Sequence, residues 1–145
     1  MTAEDTLAMI NRYLASDHAD LGMMDDDVIF TTMATGEEHV GREAVRRMLH
    51  LMYHVAFDAR AVRRSVVCTA SHAVLEAVFV GRHIGEFAGI PATGKEVRIP
   101  LCVVYDIRNR RLSRARVYFE VPAFLAQVQS TGPSATTSGG IRPIG

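Results

Sequence analysis

The residues of this chain best suited to chemistry are polar side chains that interrupt or end apolar runs. His83 ends such a run, and an imidazole there can polarise a carbonyl group or move a proton near neutral pH. Glu86 follows in the next loop and can orient that imidazole. Tyr13 and Tyr105 each carry a hydroxyl on an apolar ring, so each can donate a hydrogen bond to a ligand oxygen. We take His83, Tyr105 and Tyr13 as the candidate catalytic residues.

Each of these residues also has a purely structural interpretation. His83 can be a strand-end histidine bonded to the loop backbone, and each tyrosine can satisfy its hydroxyl inside the core. Asp25, Asp26 and Asp27 lack the spacing of a calcium-binding loop and predict a polar turn before the first strand. The methionines are typical core residues rather than a ligand set.

Composition excludes several classes of function. Sixteen basic residues balance sixteen acidic ones, so no net charge favours nucleic acid or an anionic membrane. Cys68 and Cys102 are too few for a disulfide scaffold or a zinc site, and no cofactor is expected. No apolar run approaches about 18 residues, and the N-terminus lacks a basic-then-apolar signal pattern. We therefore expect a cytoplasmic protein that binds neither membranes nor nucleic acids.

Hydrophobic periodicity predicts helices in the first part of the chain and strands in the rest. Thr2 to Asp5 matches a helix N-cap pattern, and two further helices are predicted over 19–24 and 42–54. A first strand is predicted over 28–32. The remaining predictions are four longer strands over 57–68, 72–83, 97–108 and 112–120, a loop over 85–94, a closing helical turn over 122–128 and a disordered tail over 130–145.

Helices followed by long antiparallel strands are typical of the α+β class. A curved sheet that wraps against three N-terminal helices encloses a conical pocket, which is a usual place for a small ligand. A chain of this length is expected to bury one core, so we predict a single domain over residues 1–129.

Three segments carry a family resemblance: the glycine-rich stretch 81–94, the element Gly41-Arg-Glu-Ala-Val45, and the closing Arg-Val-Tyr-Phe-Glu-Val-Pro-Ala-Phe-Leu-Ala-Gln of residues 116–127. Together with the helix order they resemble the SnoaL-like polyketide cyclases of the nuclear transport factor 2-like superfamily. Limonene epoxide hydrolase and ketosteroid isomerase are other members. The resemblance covers about residues 2–129 and implies a cone-shaped α+β barrel, a fold that also hosts non-catalytic binding modules.

The resemblance also implies where an acid–base residue would stand. In the aldol-type cyclases an aspartate on the last long strand is the general acid and base, and its position falls on Val117. The Gln and His that accompany it fall on Leu101 and Val103. The steroid isomerase's general base falls near Thr32, and its oxyanion-hole tyrosine on Tyr13. A valine cannot exchange a proton, so the cyclase mechanism does not carry over.

Alternation along the last two strands independently places this position on the enclosed side. Alternate residues of a strand face the same side of the sheet, so one apolar set is expected to face the pocket. Its members are Leu101, Val103, Tyr105, Ala115, Val117 and Phe119. The opposite set, which includes Val104, Arg116 and Tyr118, faces outward and is expected to support a homodimer. The predicted pocket residues are Thr32, Met33, Tyr53, Phe79, Glu86, Leu101, Val103, Val117 and Phe119, with His39 and His54 as further candidates.

These observations predict an enzyme of antibiotic or other natural-product biosynthesis that resembles the polyketide cyclases. We expect it to bind an apolar, polyketide-like substrate and to promote ring closure mainly by holding that substrate in a reactive conformation. A pericyclic closure such as a [4+2] addition suits this pocket because it needs no general base. Two alternatives stay open: a non-catalytic binding module, and an isomerase or epoxide hydrolase with relocated residues such as His83 and Glu86.

Overall fold

The structure, a computed structural model, describes residues 1–16, 18 and 20–129. The described residues form an α+β architecture, as predicted. The elements in chain order are α1 (Ala3–Ala15), a 3₁₀ turn (Leu21–Met23), β1 (Met24–Thr32), β2 (Glu37–Val40), α2 (Arg42–His50) with a π-helical turn (Leu51–Val55), β3 (Phe57–Cys68), β4 (His72–His83), β5 (Glu96–Arg108), β6 (Arg111–Phe119) and α3 (Val121–Gln129). The tail over 130–145 lies outside the described residues, so the predicted domain limit stays a prediction.

The strands form one mixed sheet in the order β2-β1-β6-β5-β4-β3. Strands β3 to β6 pair as consecutive antiparallel neighbours, which confirms the predicted meander. Strand β1 pairs parallel with β6 and antiparallel with the four-residue β2. Because β2 and β3 are the two edges and do not pair with each other, the sheet is open, and the prediction of a barrel is wrong.

The first strand is longer than predicted. It begins at Met24, so Asp25, Asp26 and Asp27 lie within β1, and the prediction of a turn there is wrong. Aspartate is a poor strand former, but contacts from distant residues support it here. Asp26 Oδ1 lies 2.9 Å from Arg42 Nη1, and the same guanidinium donates two hydrogen bonds to the Met24 carbonyl. These non-local contacts override the local preference.

Two other N-terminal predictions need correction. The helix predicted over 19–24 is only the 3₁₀ turn of Leu21–Met23, with the Asp20 side chain accepting a hydrogen bond from Gly22 N–H. Strand β2 was not predicted at all, because its four residues include two glutamates and give little periodic signal. It forms by pairing with β1 across the turn that contains Thr35 and Gly36.

The helices close the core from both ends of the chain. The expected cap of α1 is present: Thr2 Oγ1 accepts a hydrogen bond from Asp5 N–H, and Asp5 Oδ2 accepts one from Thr2 N–H. The closing turn predicted over 122–128 is a full helix, α3, which buries Phe124 completely. Gly81 allows β3 and β4 to approach closely, since a Cβ there would overlap the Asp58 carbonyl oxygen.

Candidate functional site

A cavity of about 420 Å³ opens on one face of the sheet, which we call the inner face. This volume falls within the usual range of small-molecule sites, roughly 300–1,000 Å³. The sheet, helix α2 with its π-helical turn, three connecting segments and the start of α3 all contribute to the wall. The lining residues are Phe30, Thr32, Glu37, His39, Leu75, Phe79, Leu101, Val103, Tyr105, Val117 and Phe119 from the strands, Met48, Leu49, Leu51, Met52 and Tyr53 from α2 and its turn, and His18, Ala34, Thr35, Phe87, Ala88 and Val121 from connecting segments and the start of α3.

The strand register explains which side chains reach the cavity. Residues that lie directly opposite each other on neighbouring strands project from the same face. One inner-face row runs across five strands as Leu75, Val103, Val117, Thr32 and Glu37. The adjacent row runs as Ala73, Tyr105, Ala115, Phe30 and His39. We refer to these as the Val117 row and the Tyr105 row.

The predicted face assignment of β5 and β6 agrees with these rows. Leu101, Val103, Tyr105, Val117 and Phe119 all line the cavity, and Ala115 is fully buried beside them. The position that the family resemblance gives to a catalytic aspartate is therefore a valine on the cavity wall.

The outward-facing residues carry an ion pair instead of a catalytic cluster. Arg116 donates two parallel hydrogen bonds to Asp106, at 3.0 and 2.9 Å. The bonds from Arg116 hold the pKa of the Asp106 carboxyl below its ordinary value. Tyr118 is exposed on this same face. These side chains lie outside the cavity, on the side that the alternation predicted.

Tyr105 and Tyr13 differ in their relation to the cavity. Tyr105 lines it, and burial raises the pKa of its hydroxyl, so this group stays protonated as a hydrogen-bond donor. Tyr13 packs edge-to-face against Tyr105, with ring centroids 6.1 Å apart, but does not line the cavity. The predicted position of Tyr13 on the pocket wall is wrong, because α1 turns this residue into the core, where it is completely buried.

His83 does not lie at the mouth of the cavity, and this prediction is also wrong. Its side chain is completely buried and makes ring contacts with Phe57 and Phe124. Its Nδ1 atom accepts a hydrogen bond from Thr93 N–H at 3.3 Å and lies 3.0 Å from Thr93 Oγ1. Phe124 of helix α3 packs edge-to-face against the His83 ring, with centroids 5.0 Å apart, and His83 does not line the cavity. The arrangement matches the alternative of a strand-end histidine bonded to loop backbone.

The remaining predicted pocket residues divide into two groups. Thr32, Tyr53 and Phe79 line the cavity, whereas Met33 and Glu86 do not. Met33 is exposed after the end of β1, and Glu86 lies in the loop that follows β4. The candidate His39 lines the cavity and His54 does not.

Sequence reasoning missed several parts of the wall, among them Glu37 on the unpredicted strand β2. Helix α2 and its π-helical turn present Met48, Leu49 and Met52 to the cavity, and the expectation that methionines are core residues does not indicate this. Phe30, which lies within the predicted first strand, also lines the cavity. Residues two apart on a strand share a face, so the predicted pocket position of Thr32 also indicates that Phe30 faces the pocket.

The described residues contain no group of three or more His, Cys, Asp or Glu side chains arranged to hold a metal ion. In the same part of the chain, no helix is long and apolar enough to span a membrane. Cys68 and Cys102 are free thiols, and burial raises the pKa of each.

Comparison with known proteins adds to this geometry. The sequence matches the family model of the SnoaL-like polyketide cyclases over residues 11–128. A candidate polyketide cyclase from Silicibacter sp. TM1040 has a similar structure, with a TM-score of 0.77, 19% identity, and coverage of 90% of this chain and 99% of that one. A candidate SnoaL-like polyketide cyclase from Jannaschia sp. CCS1 gives a TM-score of 0.76 at 15% identity, covering 90% and 96% of the two chains. No curated protein matches the sequence.

A protein from Catenulispora acidiphila with a ketosteroid isomerase-like fold, solved in complex with trimethylamine, gives a TM-score of 0.68 at 15% identity. That alignment covers 83% of this chain and 91% of the other. At such identities the likeness establishes the fold, and the chemistry must be argued from the cavity itself.

Proposed function

The chain belongs to the SnoaL-like polyketide cyclase family, and on this premise we propose that it binds an apolar, polyketide-like molecule and promotes its ring closure. One observation carries the proposal: an enclosing cavity of about 420 Å³ with a largely apolar wall and Val117 in place of the expected acid. Such a wall favours an apolar ligand because binding removes apolar surface of both partners from water.

The main contribution of the cavity to ring closure is conformational. Most conformers of a flexible chain cannot react. A cavity that binds the chain in a folded, reactive conformation therefore lowers the free-energy barrier to ring closure. The gain reaches on the order of 7–11 kcal/mol when reacting atoms are ideally placed. A [4+2] addition suits this site because three π bonds become two C–C σ bonds and one C=C bond, and no proton is transferred.

Tyr105 is the residue that we expect to assist this closure. It stands in the middle of the sheet, on the Tyr105 row, with its ring on the cavity wall. Because its hydroxyl stays protonated, it can donate a hydrogen bond to a ligand carbonyl throughout the reaction. A carbonyl polarised in this way becomes a better partner for the electron-rich diene.

Binding is tested with a variant that fills the cavity. Val103→Trp places a large ring into the space, whereas the matched control Val40→Trp places it on an exposed position of β2. The parent chain has no tryptophan, so each variant also gains a specific fluorescence reporter. Titration with 2-tetralone, followed by NMR, should show saturable binding to the parent and to Val40→Trp and none to Val103→Trp. Equal binding to all three would place the ligand elsewhere.

Turnover is tested with a linear probe, 1,7,9-decatrien-3-one, whose intramolecular [4+2] closure is followed by gas chromatography. We expect the parent to accelerate closure at least about 10-fold, a small part of the advantage available from templating. Tyr105→Phe should retain binding and lose part of the rate. Saturable binding without any acceleration would instead identify a non-catalytic binding module.

We further propose that the outer face of the sheet forms a homodimer. Val67, Val74 and Val104 are cross-strand partners on that face, and Val67 is 64% exposed. Burial of this apolar row against a second copy would remove it from water. Analytical ultracentrifugation should give twice the chain mass of 15.9 kDa, and Val67→Glu should shift the protein towards the monomer.

A further inference from the structure

The polar groups of the cavity wall cluster at one edge of the sheet. Thr32 ends β1, and Glu37 and His39 lie on the neighbouring strand β2. All three line the cavity. His39 Nε2 lies 3.2 Å from Glu37 Oε1 and 3.4 Å from Thr32 Oγ1. We call this group the edge cluster.

The sheet register fixes the edge cluster on the inner face. His39 is the cross-strand partner of Phe30, and Glu37 is the partner of Thr32. Phe30 and Thr32 both line the cavity, so their partners project to the same side. The cluster therefore ends the same two rows that contain Tyr105 and Val117, instead of lying on an unrelated surface.

The contacts of the edge cluster determine which imidazole nitrogen is available. A carboxylate accepts hydrogen bonds only, so the contact with Glu37 places the ring proton on His39 Nε2. In the neutral ring Nδ1 then carries the free lone pair. When Nδ1 accepts a proton from the substrate, the contact between Nε2 and the Glu37 carboxylate keeps the ring in place. The His39 side chain is 19% exposed and that of Glu37 is 68% exposed, so the pair lies at the mouth of the cavity.

We propose that the edge cluster is a proton-transfer site, with His39 as the base and Glu37 as its positioning residue. It acts on a C–H bond next to a carbonyl of the molecule in the cavity. It therefore rests on the binding part of the proposed function, and it adds a proton-transfer route of ring closure to the [4+2] route, which transfers no proton. The substrate class is narrowed to apolar molecules that carry a ketone with a neighbouring C–H bond and a second carbonyl group.

The proposed step balances without a co-reactant. His39 takes the proton from the carbon next to the carbonyl. The C–H electron pair becomes the C=C π bond of an enolate, and the π electrons of the carbonyl move to its oxygen. The C=C π pair then forms a C–C bond with a second carbonyl carbon of the same molecule, and the enolate oxygen restores the first C=O bond. The π electrons of the second carbonyl move to its oxygen, which receives the proton back from His39. The product is an isomer of the substrate, and the imidazole is regenerated.

This site differs in place from the acid that the family resemblance assigns to position 117. On the Val117 row, Thr32 is one strand from Val117 and Glu37 is two strands away. With a strand spacing of about 4.8 Å, the backbone of Glu37 lies roughly 10 Å from the Val117 backbone. The reacting carbon is therefore expected near the mouth, while the apolar part of the molecule fills the interior.

The experiment measures exchange of the α-protons of 2-tetralone for deuterium in D₂O by NMR. Exchange needs only a base that reaches the bound ketone, so the natural substrate need not be known. The parent should exchange faster than buffer alone, and His39→Gln should lower the protein-catalysed rate about 100-fold or more, as expected for loss of a general base. The affinity for 2-tetralone, measured in the same samples, should change less than about two-fold, because the cavity wall remains.

A matched control removes another histidine beside a carboxylate. His72 Nε2 lies 3.5 Å from Asp106 Oδ1 at the end of β4, and neither residue lines the cavity. His72→Gln should therefore leave the exchange rate unchanged.

Glu37→Gln tests the positioning role at an exposed position, where folding is least at risk. It should lower exchange less than His39→Gln, and it should have no further effect when combined with His39→Gln. Additive losses would indicate a structural role and contradict the assignment of Glu37.

The outcomes separate this proposal from the proposed function. If 2-tetralone binds and the parent does not accelerate exchange, or His39→Gln exchanges as fast as the parent, the proton-transfer site is refuted while the binding cavity stands. If 2-tetralone does not bind the parent, the binding proposal fails, and the edge cluster has no substrate to act on.

Discussion

Replacement of Tyr13 by phenylalanine should make the protein more stable. The Tyr13 side chain is completely buried, and among residues 1–16, 18 and 20–129 its hydroxyl has no hydrogen-bond partner. A buried hydroxyl without a partner costs about 1–3 kcal/mol of desolvation free energy. The small void left by one oxygen atom costs only a few tenths of a kcal/mol at about 24 cal/mol per Å³. Tyr13→Phe should therefore raise the free energy of unfolding by about 1 kcal/mol.

The assay is urea unfolding followed by far-ultraviolet circular dichroism, together with the thermal midpoint. A gain of about 1 kcal/mol corresponds to a midpoint rise of roughly 3–5 °C for a domain of this size. Tyr118→Phe is the matched control, because its hydroxyl is on an exposed side chain and its loss should leave stability unchanged. A loss of about 1 kcal/mol in Tyr13→Phe would refute the reasoning, since it is the usual result for a hydrogen-bonded tyrosine.

The same variant separates the two tyrosines in function. Tyr105 lines the cavity and Tyr13 does not. Tyr13→Phe should therefore retain both the affinity for 2-tetralone and the rate of [4+2] closure, whereas Tyr105→Phe should reduce the rate. A rate loss in Tyr13→Phe that equals the loss in Tyr105→Phe would show that the hydroxyl of Tyr13 acts through Tyr105.

Three further variants test the wall, the outer face and the close approach of two strands. Val117→Asp places a carboxyl group on the apolar wall, so the pKa of that group should rise and the free energy of unfolding should fall by about 1–3 kcal/mol, more at pH 8 than at pH 4.5. Arg116 lowers the pKa of Asp106, so their pair stabilises the fold above the unfolded-state pKa and this stability is lost as the pH falls. Asp106→Asn should therefore cost about 0.5–1 kcal/mol at pH 7, and the cost should shrink between pH 5 and pH 2. Gly81→Ala should cost about 3 kcal/mol or more, because its Cβ overlaps the Asp58 carbonyl oxygen in β3. Urea unfolding at the stated pH values measures all three.

Each expectation has a contradicting result. A Val117→Asp protein that is as stable at pH 8 as at pH 4.5 would mean that water reaches this part of the wall. A cost of Asp106→Asn that persists at pH 2 would mean that packing, and not the ion pair, supports the outer face. An unchanged unfolding midpoint in Gly81→Ala would mean that β3 moves away without loss of pairing.

The long strands could be predicted from the sequence because their signal is local. Strand β4 has the predicted bounds, and β5 and β6 differ from theirs by one residue at the ends. Apolar residues alternate along β5 and β6, so the inner face was assigned before any contact was known. The same alternation located Val117 and Tyr105 on the cavity wall.

The remaining features depend on contacts between distant parts of the chain. The alternation along β4 places His83 on the same face of the sheet as Phe79. It gives no information about helix α3, whose Phe124 packs against the His83 ring. Asp26 lies in a strand because Arg42 pairs with it. Strand β2 exists because β1 offers it a pairing edge, and its glutamates give no apolar pattern. No local rule could assign these three outcomes.

The distribution of polar groups along the Val117 row has a physical reason. A carboxylate in the middle of the row would face an apolar wall, where desolvation disfavours its charged form. Glu37 ends the row at the sheet edge, where its side chain is 68% exposed and needs little compensation. Val117 thus keeps the interior apolar for the ligand, while the edge cluster retains a carboxylate and an imidazole within reach of the mouth. If the proposed function and the proposed proton-transfer site both hold, the apolar interior binds the ligand and the proton is transferred at the exposed edge, where a charged side chain loses little hydration.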